Sequence, residues 1–303
     1  MSELILHHYD LSPYAEKIRL IMGYKGLAWK SVQIPMVMPK PDLTCLTGGY
    51  RKTPVLQIGA DIYCDTKTIA HALECVRPQP TLYPQNCEAS ERALSSMADA
   101  MFLMAVFALL GAGLFPQEFI DDRQKMLPGG FDMQHLKRAF PAKLDQLRVS
   151  LAALDAQLSD GRHFLLGEKI CLADFSIYNP VSFLATAPTT ASLLAPFKRL
   201  AAWRERMTSI GHGERTEIAA ADAIAAAKAS EPTTETHVDP NEPNGYKAGD
   251  RITVMPEDYG LDPVAGELVY SDPYEIAIRR SDPRTGEVVV HFPRQGYLTF
   301  RGA

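Results

Sequence analysis

The first eighty residues alternate short apolar runs with amphipathic stretches, and this alternation restricts the fold more than any other feature of the chain. β-rich apolar runs predict strands at 3–7, 29–34, 55–58 and 61–64. Helical spacing of apolar residues predicts helices at 13–25 and 66–76, with a weak helix within 39–51. The order β-α-β-α-β-β-α predicts an α/β unit.

The sequence pattern changes after Arg77-Pro78-Gln79-Pro80. This segment breaks the alternation of strands and helices and predicts a connection between units. Apolar residues then recur at helical spacing, which predicts helices at 88–114, 141–158, 172–184, 191–210 and 217–229. The segment 116–140 contains Pro128-Gly129-Gly130 and predicts an extended loop between two long helices.

The last part of the chain is β-rich. The segment 230–245 is polar, contains three prolines and predicts a linker. Short runs separated by turn residues predict five strands, at 250–254, 266–270, 274–279, 288–292 and 297–300. Five short strands favour a small antiparallel barrel. We therefore predict three domains, an α/β domain at 1–78, an all-helical domain at 86–229 and a small β-barrel domain at 246–303.

The net charge, the apolar segments and the cysteines of the chain limit the partners that we expect it to have. A formal net charge of −5 gives no reason to expect a nucleic acid or an anionic membrane as a partner. The apolar stretch 101–115 is too short for a membrane span and is typical of a buried helix, and the first apolar run lacks the basic leader of a signal peptide. Five scattered cysteines without metal-site spacing predict a reducing, cytoplasmic setting and no bound metal.

Three short motifs carry candidate chemistry. Ser12-Pro13-Tyr14 lies between a strand and a helix, where free N–H groups favour an anion such as a thiolate. A plain Ser cap followed by proline is the simpler interpretation of these three residues. Thr53-Pro54 opens a strand, and a cis bond there would turn the Thr53 main chain toward a ligand. Asp65-Thr66 starts a helix and offers a carboxylate, a hydroxyl and free donors, or a plain cap.

This order of motifs resembles the glutathione transferase family, in particular its serine-type, tau-like classes. The resemblance covers residues 1 to about 215 and implies a thioredoxin-like fold for the first unit. The pair Asp65-Thr66 stands where Glu-Ser is commoner in the family. The loop 116–140 and the third domain are not general family features.

The resemblance also implies a role for each motif. Ser12 would be the catalytic residue, whose hydroxyl donates to the glutathione thiolate and lowers the pKa of the thiol. Thr53, held by Pro54, would pair with the cysteinyl part of glutathione. The remaining contacts would be Asp65, Thr66 and Asp99 at the γ-glutamyl end, and Arg51, with Lys40 as a weaker alternative, at the glycyl carboxylate.

Apolar residues near these motifs predict a second subsite. Tyr14, Met38, Met101 and Phe102 are our candidates for contacts with a hydrophobic electrophile, although an apolar helical stripe is more often plain core. His7 and His8 alternate on a strand, so we expect one to be buried and the other exposed.

The resemblance predicts a glutathione transferase that conjugates glutathione, its co-substrate, to a small hydrophobic electrophile, and it predicts a homodimer. Serine at position 12 speaks against thiol–disulfide chemistry, because only a thiolate forms the mixed disulfide. A glutathione-dependent isomerase or dehalogenase is one alternative. The other is a non-catalytic scaffold that recruits a protein partner through residues 246–303.

Overall fold

The structure is a computed structural model that describes residues 3–111 and 113–302, with the backbone alone at 111 and 189. Residues 1, 2, 112 and 303 lie outside the described part, so the predicted helix 88–114 is described without residue 112. The first unit has the predicted order, and its elements are β1 Leu4–His8, α1 Pro13–Tyr24, β2 Ala28–Gln33, α2 Pro41–Thr47, β3 Val55–Ile58, β4 Asp61–Cys64 and α3 Thr66–Val76.

These elements form a thioredoxin-like unit, as predicted. Its strands lie in the order β2-β1-β3-β4, with β1 parallel to β2 and the other two pairs antiparallel. Apolar residues of α1 and α3 pack on one face of this sheet together with the helical unit, while α2 packs on the other face. The α/β prediction is therefore confirmed.

The second unit is helical, as predicted. Its helices are α4 Glu88–Gly111, α5 Gln117–Gln124, α6 Met133–Gln157, α7 Leu172–Leu184, α8 Pro188–Ala191, α9 Lys198–Thr208 and α10 Ala220–Lys228. The prediction of an extended loop over 116–140 is wrong, because this segment contains α5 and the start of α6. Asp132 caps α6 by accepting from the Gln134 N–H at 2.8 Å, so the break at Gly129 and Gly130 is short.

The third region contains the five predicted strands, and two short strands precede them. The seven are β5 Glu214–Glu217, β6 His237–Val238, β7 Arg251–Pro256, β8 Val264–Ser271, β9 Glu275–Asp282, β10 Gly286–Pro293 and β11 Tyr297–Arg301. Strands β7 to β10 form an antiparallel meander, and β11 returns to pair with β7, which is an order that a small barrel uses. The predicted β-rich C-terminal region is confirmed.

The third region continues the sheet of the first. Strand β10 runs parallel to β4, with Val289 opposite Asp61, and β5 runs parallel to β2 on the other side. Apolar residues of both regions share one core, in which Val55 and Ile62 belong to the same cluster as Val290. Both edges of the first four-stranded sheet are therefore covered by later parts of the chain. The domain boundaries stay predictions, but the β region is not an isolated appendage.

Both histidines of β1 are buried, so the expectation that one is exposed is wrong. Strand β1 is central in its sheet, and both faces are covered. His7 contacts Gln57 and His8 contacts Ser31, each at 2.9 Å from Nε2. Burial lowers the pKa of His7 to about 4, and burial together with the nearby Arg19 lowers that of His8 to about 3. Both rings are therefore neutral near pH 7.

A buried ionic cluster joins the first and third regions beside the β4–β10 pairing. His291 Nδ1 lies 2.6 Å from Glu275 Oε1, and its Nε2 lies 3.5 Å from Asp61 Oδ1. Thr233 and Thr234, from the predicted linker, donate to the Asp61 carboxylate. Burial alone raises the pKa of Asp61, but the hydrogen bonds from His291, Thr233 and Thr234 outweigh it and lower the pKa to about 2. Burial opposes the charge on His291, yet the two carboxylates raise its pKa above 6.5.

Among the described residues one helix, Glu88–Leu110, is long and apolar enough to cross a membrane by length and composition alone. Core helices of globular proteins meet the same criterion, so this is weak evidence for a span. In this helix Met101, Ala105 and Ala108 are buried against the other helices, whereas Leu103 is half exposed.

We predict that His291→Gln lowers the free energy of unfolding by about 3 to 5 kcal/mol near pH 6, because it leaves buried carboxylates without their cation. The raised pKa of His291 makes its contribution complete below about pH 6.5 and lost as the pH rises through the folded value. The lowered pKa of Asp61 makes its contribution complete above about pH 4 and lost as the pH falls toward 2. Denaturant unfolding of both proteins across this range measures the difference.

The matched control is His163→Gln, since His163 is exposed and should change the free energy of unfolding by less than about 0.5 kcal/mol. A difference between wild type and His291→Gln that stays constant from pH 6 to pH 9 would contradict the assigned role.

Candidate functional site

Ser12 lies at the start of α1, and its hydroxyl is the group best placed for chemistry there. It is the helix cap, and its Oγ accepts from the Ala15 N–H at 3.2 Å. No described residue accepts the proton of this hydroxyl, although the side chain is only 3 % exposed. Ser12 therefore caps the helix as an acceptor and keeps its own proton for a further acceptor.

Thr53 and Pro54 precede β3, and the peptide bond between them is cis, which is the geometry considered in the sequence analysis. No hydrogen bond joins the Thr53 backbone N–H or C=O to another described residue. The Thr53 side chain accepts from Lys40 Nζ at 3.2 Å. The main chain of Thr53 thus has a donor and an acceptor available to a ligand.

Asp65 and Thr66 form the start of α3, beside a buried lysine that the sequence analysis missed. Asp65 has φ of 76° and accepts from the Lys67 N–H at 3.0 Å. Lys17, on α1 and only 5 % exposed, donates to Thr66 Oγ1 at 3.3 Å. Burial lowers the pKa of Lys17. A lysine one turn after the Ser-Pro start of a largely buried helix was the available signal.

Asp99 belongs to the same end of the site. It extends from α4 and lies 3.7 Å from the ammonium of Lys67, with about half of its side chain exposed. Burial raises the pKa of Asp99, and the charges of Lys17 and Lys67 oppose that rise. This end therefore combines two carboxylates with two ammonium groups.

Arg51 lies at the other end of the site and is held by a carboxylate of the chain itself. Its Nη2 lies 2.5 Å from both carboxylate oxygens of Asp122, on α5, and both side chains are more than nine-tenths buried. Asp122 also contacts Arg123 and accepts from the Met38 N–H. Sequence reasoning missed Asp122 because it predicted a loop there. The predicted glycyl-carboxylate ligand is thus already paired.

Lys40, the weaker alternative at this end, is buried beside Arg51. Its ammonium donates to the Arg51 carbonyl at 3.1 Å and to Thr53. Burial lowers the pKa of Lys40 to about 7, and the positive charges of Arg123 and Arg51 add to that effect. Its charge therefore changes near neutral pH.

Two of the four predicted hydrophobic-subsite residues lie together. The rings of Tyr14 and Phe102 have centroids 4.6 Å apart, and Phe183 stacks on Phe102 at 5.2 Å. Phe115 and Phe119 extend this row of rings, which sequence reasoning did not foresee. Met101 is fully buried in the helical core because it lies on the inner face of α4, so its prediction as a lining residue is wrong.

Met38, the fourth predicted residue, contacts the helix α5. Its backbone N–H donates to Asp122 at 3.0 Å, which places it beside the Arg51 end of the site. Its side chain is 37 % exposed, so it borders solvent there.

The third region covers part of the site. The ammonium of Lys52 lies 2.5 Å from the Asp258 carboxylate and 4.0 Å from the ring centroid of Tyr259. The Gly260 N–H donates to the Met126 carbonyl at 2.7 Å, and a Cβ at Gly260 would lie 2.8 Å from the Met126 side chain. The loop between β7 and β8 thus rests on the residue next to Thr53 and on the segment after α5.

Tyr297, on β11, reaches the γ-glutamyl end of the candidate site. Its hydroxyl lies 3.2 Å from Asp65 Oδ2.

Among the residues that the structure describes, no group of three or more His, Cys, Asp or Glu side chains is arranged to hold a metal ion. The polar groups of the candidate site are hydroxyl, carboxylate and ammonium groups.

A thioredoxin-like sheet with a serine at the first helix start, followed by a helical unit, is the architecture of glutathione-transferase-like proteins. Residues 6–81 match the glutathione S-transferase N-terminal domain, and residues 101–210 match the C-terminal domain. A crystal structure of a GST-like protein from Pseudomonas syringae is 40% identical and covers 100% of both chains, with a TM-score of 0.81. The chain belongs to the glutathione S-transferase family, and the resemblance inferred from its motifs is confirmed.

Two other relatives match a smaller part of the chain. FtsZ-localized protein A from Caulobacter vibrioides is 25% identical over 179 residues, which are 57% of this chain and 74% of that protein. A tau class glutathione S-transferase from mango, Mangifera indica, is 20% identical, covers 68% of this chain and 88% of its own, and has a TM-score of 0.54. At that identity the mango enzyme shows a shared fold alone.

We predict that Lys40 titrates with a midpoint near pH 7, because burial and two neighbouring guanidinium groups disfavour its charge. Nuclear magnetic resonance of protein labelled with carbon-13 lysine should show one side-chain signal that shifts near this pH. Lys40→Met should remove that signal, and Lys137→Met, at an exposed lysine, should leave it. If every lysine signal titrates only near pH 10, the prediction is wrong.

Proposed function

We propose that the protein binds glutathione between Ser12, Thr53 and Asp65 and stabilises its thiolate for attack on a small hydrophobic electrophile. The observation that carries this proposal is the Ser12 hydroxyl, which caps α1 as an acceptor and keeps its proton free. A hydrogen bond to a charged group contributes about 1.5 to 3 kcal/mol, which corresponds to about 1 to 2 pKa units of the bound thiol. The partial positive charge of the helix N-terminus adds to this effect.

The proposed reaction needs no redox partner. The thiolate sulfur attacks the electrophilic carbon and forms a C–S bond, and the leaving group departs with its electron pair. The enzyme contributes the stabilised thiolate and the relative position of the two reactants. The rings of Tyr14 and Phe102 offer an apolar surface on which an aromatic or aliphatic electrophile can rest.

The two ends of glutathione would meet groups of opposite charge. Asp65 would accept from the γ-glutamyl ammonium, and Thr66 with Lys17 would donate to the neighbouring carboxylate. At the glycyl end Arg51 is paired with Asp122, so Lys40 is the cation left for that carboxylate. Because the Lys40 charge is partial near pH 7, this end would hold glutathione more tightly in mildly acidic solution.

A second candidate function is a binding scaffold. It is favoured by the third region, which gives Lys52 and Asp65 partners within the chain, and by the similarity to FtsZ-localized protein A. In that case the β region would recruit a protein partner, and Leu298 and Phe300 are its exposed apolar side chains on β11.

Glutathione-dependent isomerase or dehalogenase activity would use the same site, in which Ser12 would stabilise the glutathione thiolate.

The cellular location and the oligomeric state of the protein are also proposals. We expect a cytoplasmic protein, on the evidence of its cysteines, and a homodimer by analogy with the family. Strands β5 and β10 cover both edges of the first sheet, so a second copy would have to dock on another surface.

We predict that wild-type protein binds glutathione in a calorimetric titration and that Ser12→Ala raises the pKa of the bound thiol by about 1 to 2 units. Ultraviolet absorbance of the thiolate across a pH series measures that pKa. Conjugation of an aromatic electrophile at neutral pH should fall by about tenfold or more in the same variant.

Two controls separate chemistry from folding. Ser12→Thr keeps both the hydroxyl and the cap, so it should retain thiolate formation. Ser96→Ala removes an exposed hydroxyl that contacts only its own helix and should change nothing. Absence of glutathione binding to wild type at millimolar concentration would rule out the enzyme and favour the scaffold.

A further inference from the structure

We propose that Tyr297 is a positioning residue that holds the Asp65 carboxylate for the ammonium group of the bound thiol. The C-terminal β region would thereby select γ-glutamyl thiols that carry a free α-ammonium group. This inference rests on the proposed glutathione site and assigns part of its specificity to a region that the N-terminal and C-terminal domain matches, at residues 6–81 and 101–210, do not cover.

The Asp65 carboxylate is held from two sides by different parts of the chain. Oδ1 accepts from the Lys67 N–H at 3.0 Å, and Oδ2 lies 3.2 Å from the Tyr297 hydroxyl. The backbone φ of 76° is uncommon for a residue other than glycine and fixes the direction in which the side chain leaves the main chain. A carboxylate has about four acceptor directions, so two remain for a ligand ammonium.

Tyr297 is itself held rigidly by aromatic neighbours. Its ring stacks on Tyr50 with centroids 6.5 Å apart and lies 5.7 Å from the ring of Phe292. The Tyr297 hydroxyl lies 3.2 Å from both the Tyr50 hydroxyl and Asp65 Oδ2, and the carboxylate is the stronger acceptor for its one proton because it is charged. Burial raises the pKa of both phenols well above 10, which keeps the donated protons in place at neutral pH.

The alternative partners of Asp65 explain why a neutral donor is useful at this position. Lys17 and Lys67 are nearby cations, and they already contact Thr66 and Asp99 respectively. Without the Tyr297 hydroxyl, Oδ2 loses its neutral partner and is free to turn toward those cations. A phenol orients the carboxylate without cancelling its charge, and the charge is what an incoming ammonium requires.

The test compares two thiols and one substitution. Tyr297→Phe keeps the ring and its packing and removes one hydroxyl. We expect it to weaken the binding of glutathione about tenfold and to leave the binding of N-acetylglutathione, which has no α-ammonium group, unchanged within about twofold. Isothermal calorimetry with wild type and variant measures all four affinities.

A second measurement uses a pair of substitutions. Because Tyr297 acts through Asp65, the double variant Asp65→Asn/Tyr297→Phe should bind glutathione no more weakly than Asp65→Asn alone. Tyr274→Phe is the matched control, since Tyr274 is an exposed tyrosine of the same β region and should leave both affinities unchanged.

The outcomes separate the two proposals. Equal weakening for both thiols, no weakening for glutathione, or additive losses in the double variant would overturn the role of Tyr297 while the glutathione site stands. A wild-type protein that does not bind glutathione would overturn the proposed function, and the role of Tyr297 with it, and that result appears in the first titration.

Discussion

The parallel pairing of β4 with β10 is the contact on which the rest of the structure depends. It joins a strand of the first unit to one near the end of the chain, and it buries the Asp61–His291 cluster between them. Because β10 is fixed there, β7 and β11, which belong to the same sheet beyond β9 and β8, are carried to the edge of the candidate site. Lys52 then meets Asp258, and Asp65 meets Tyr297. A site that the motifs place in one unit is therefore built from three.

Local patterns predicted most of the fold, and the parts they missed depend on distant partners. The five C-terminal strands were found because alternation and turn residues are local signals. Strand β5 is short and mostly charged, and it is a strand only because the edge of β2 offers it partners. Helix α5 is held across the molecule by the Asp122–Arg51 pair rather than by strong caps. One of His7 and His8 was expected to be exposed because alternation alone does not show that both sheet faces are covered.

The residues of the candidate site also fall into those that local patterns predicted and those that depend on distant partners. Ser12 and Asp65 were predicted from turn and cap chemistry, which depends on a few consecutive residues, and both are caps in the structure. Asp122 and Tyr297 have no such local signature, because each reaches the site through the packing of another element. Motifs thus identified the candidate site, whereas the charges and donors that surround it follow from tertiary structure.

The pairing of β4 with a strand so late in the chain also has a consequence for protein synthesis. Strand β4 leaves the ribosome more than two hundred residues before β10, an interval on the order of tens of seconds at about 5–20 residues per second. Throughout that interval its outer edge has unpaired N–H and C=O groups that another nascent chain can pair with. Asp61, which later becomes a buried anchor, places a charge on that edge, and a charge there opposes premature association. The same carboxylate thus opposes association of the unfinished chain and holds β4 against β10 in the folded one.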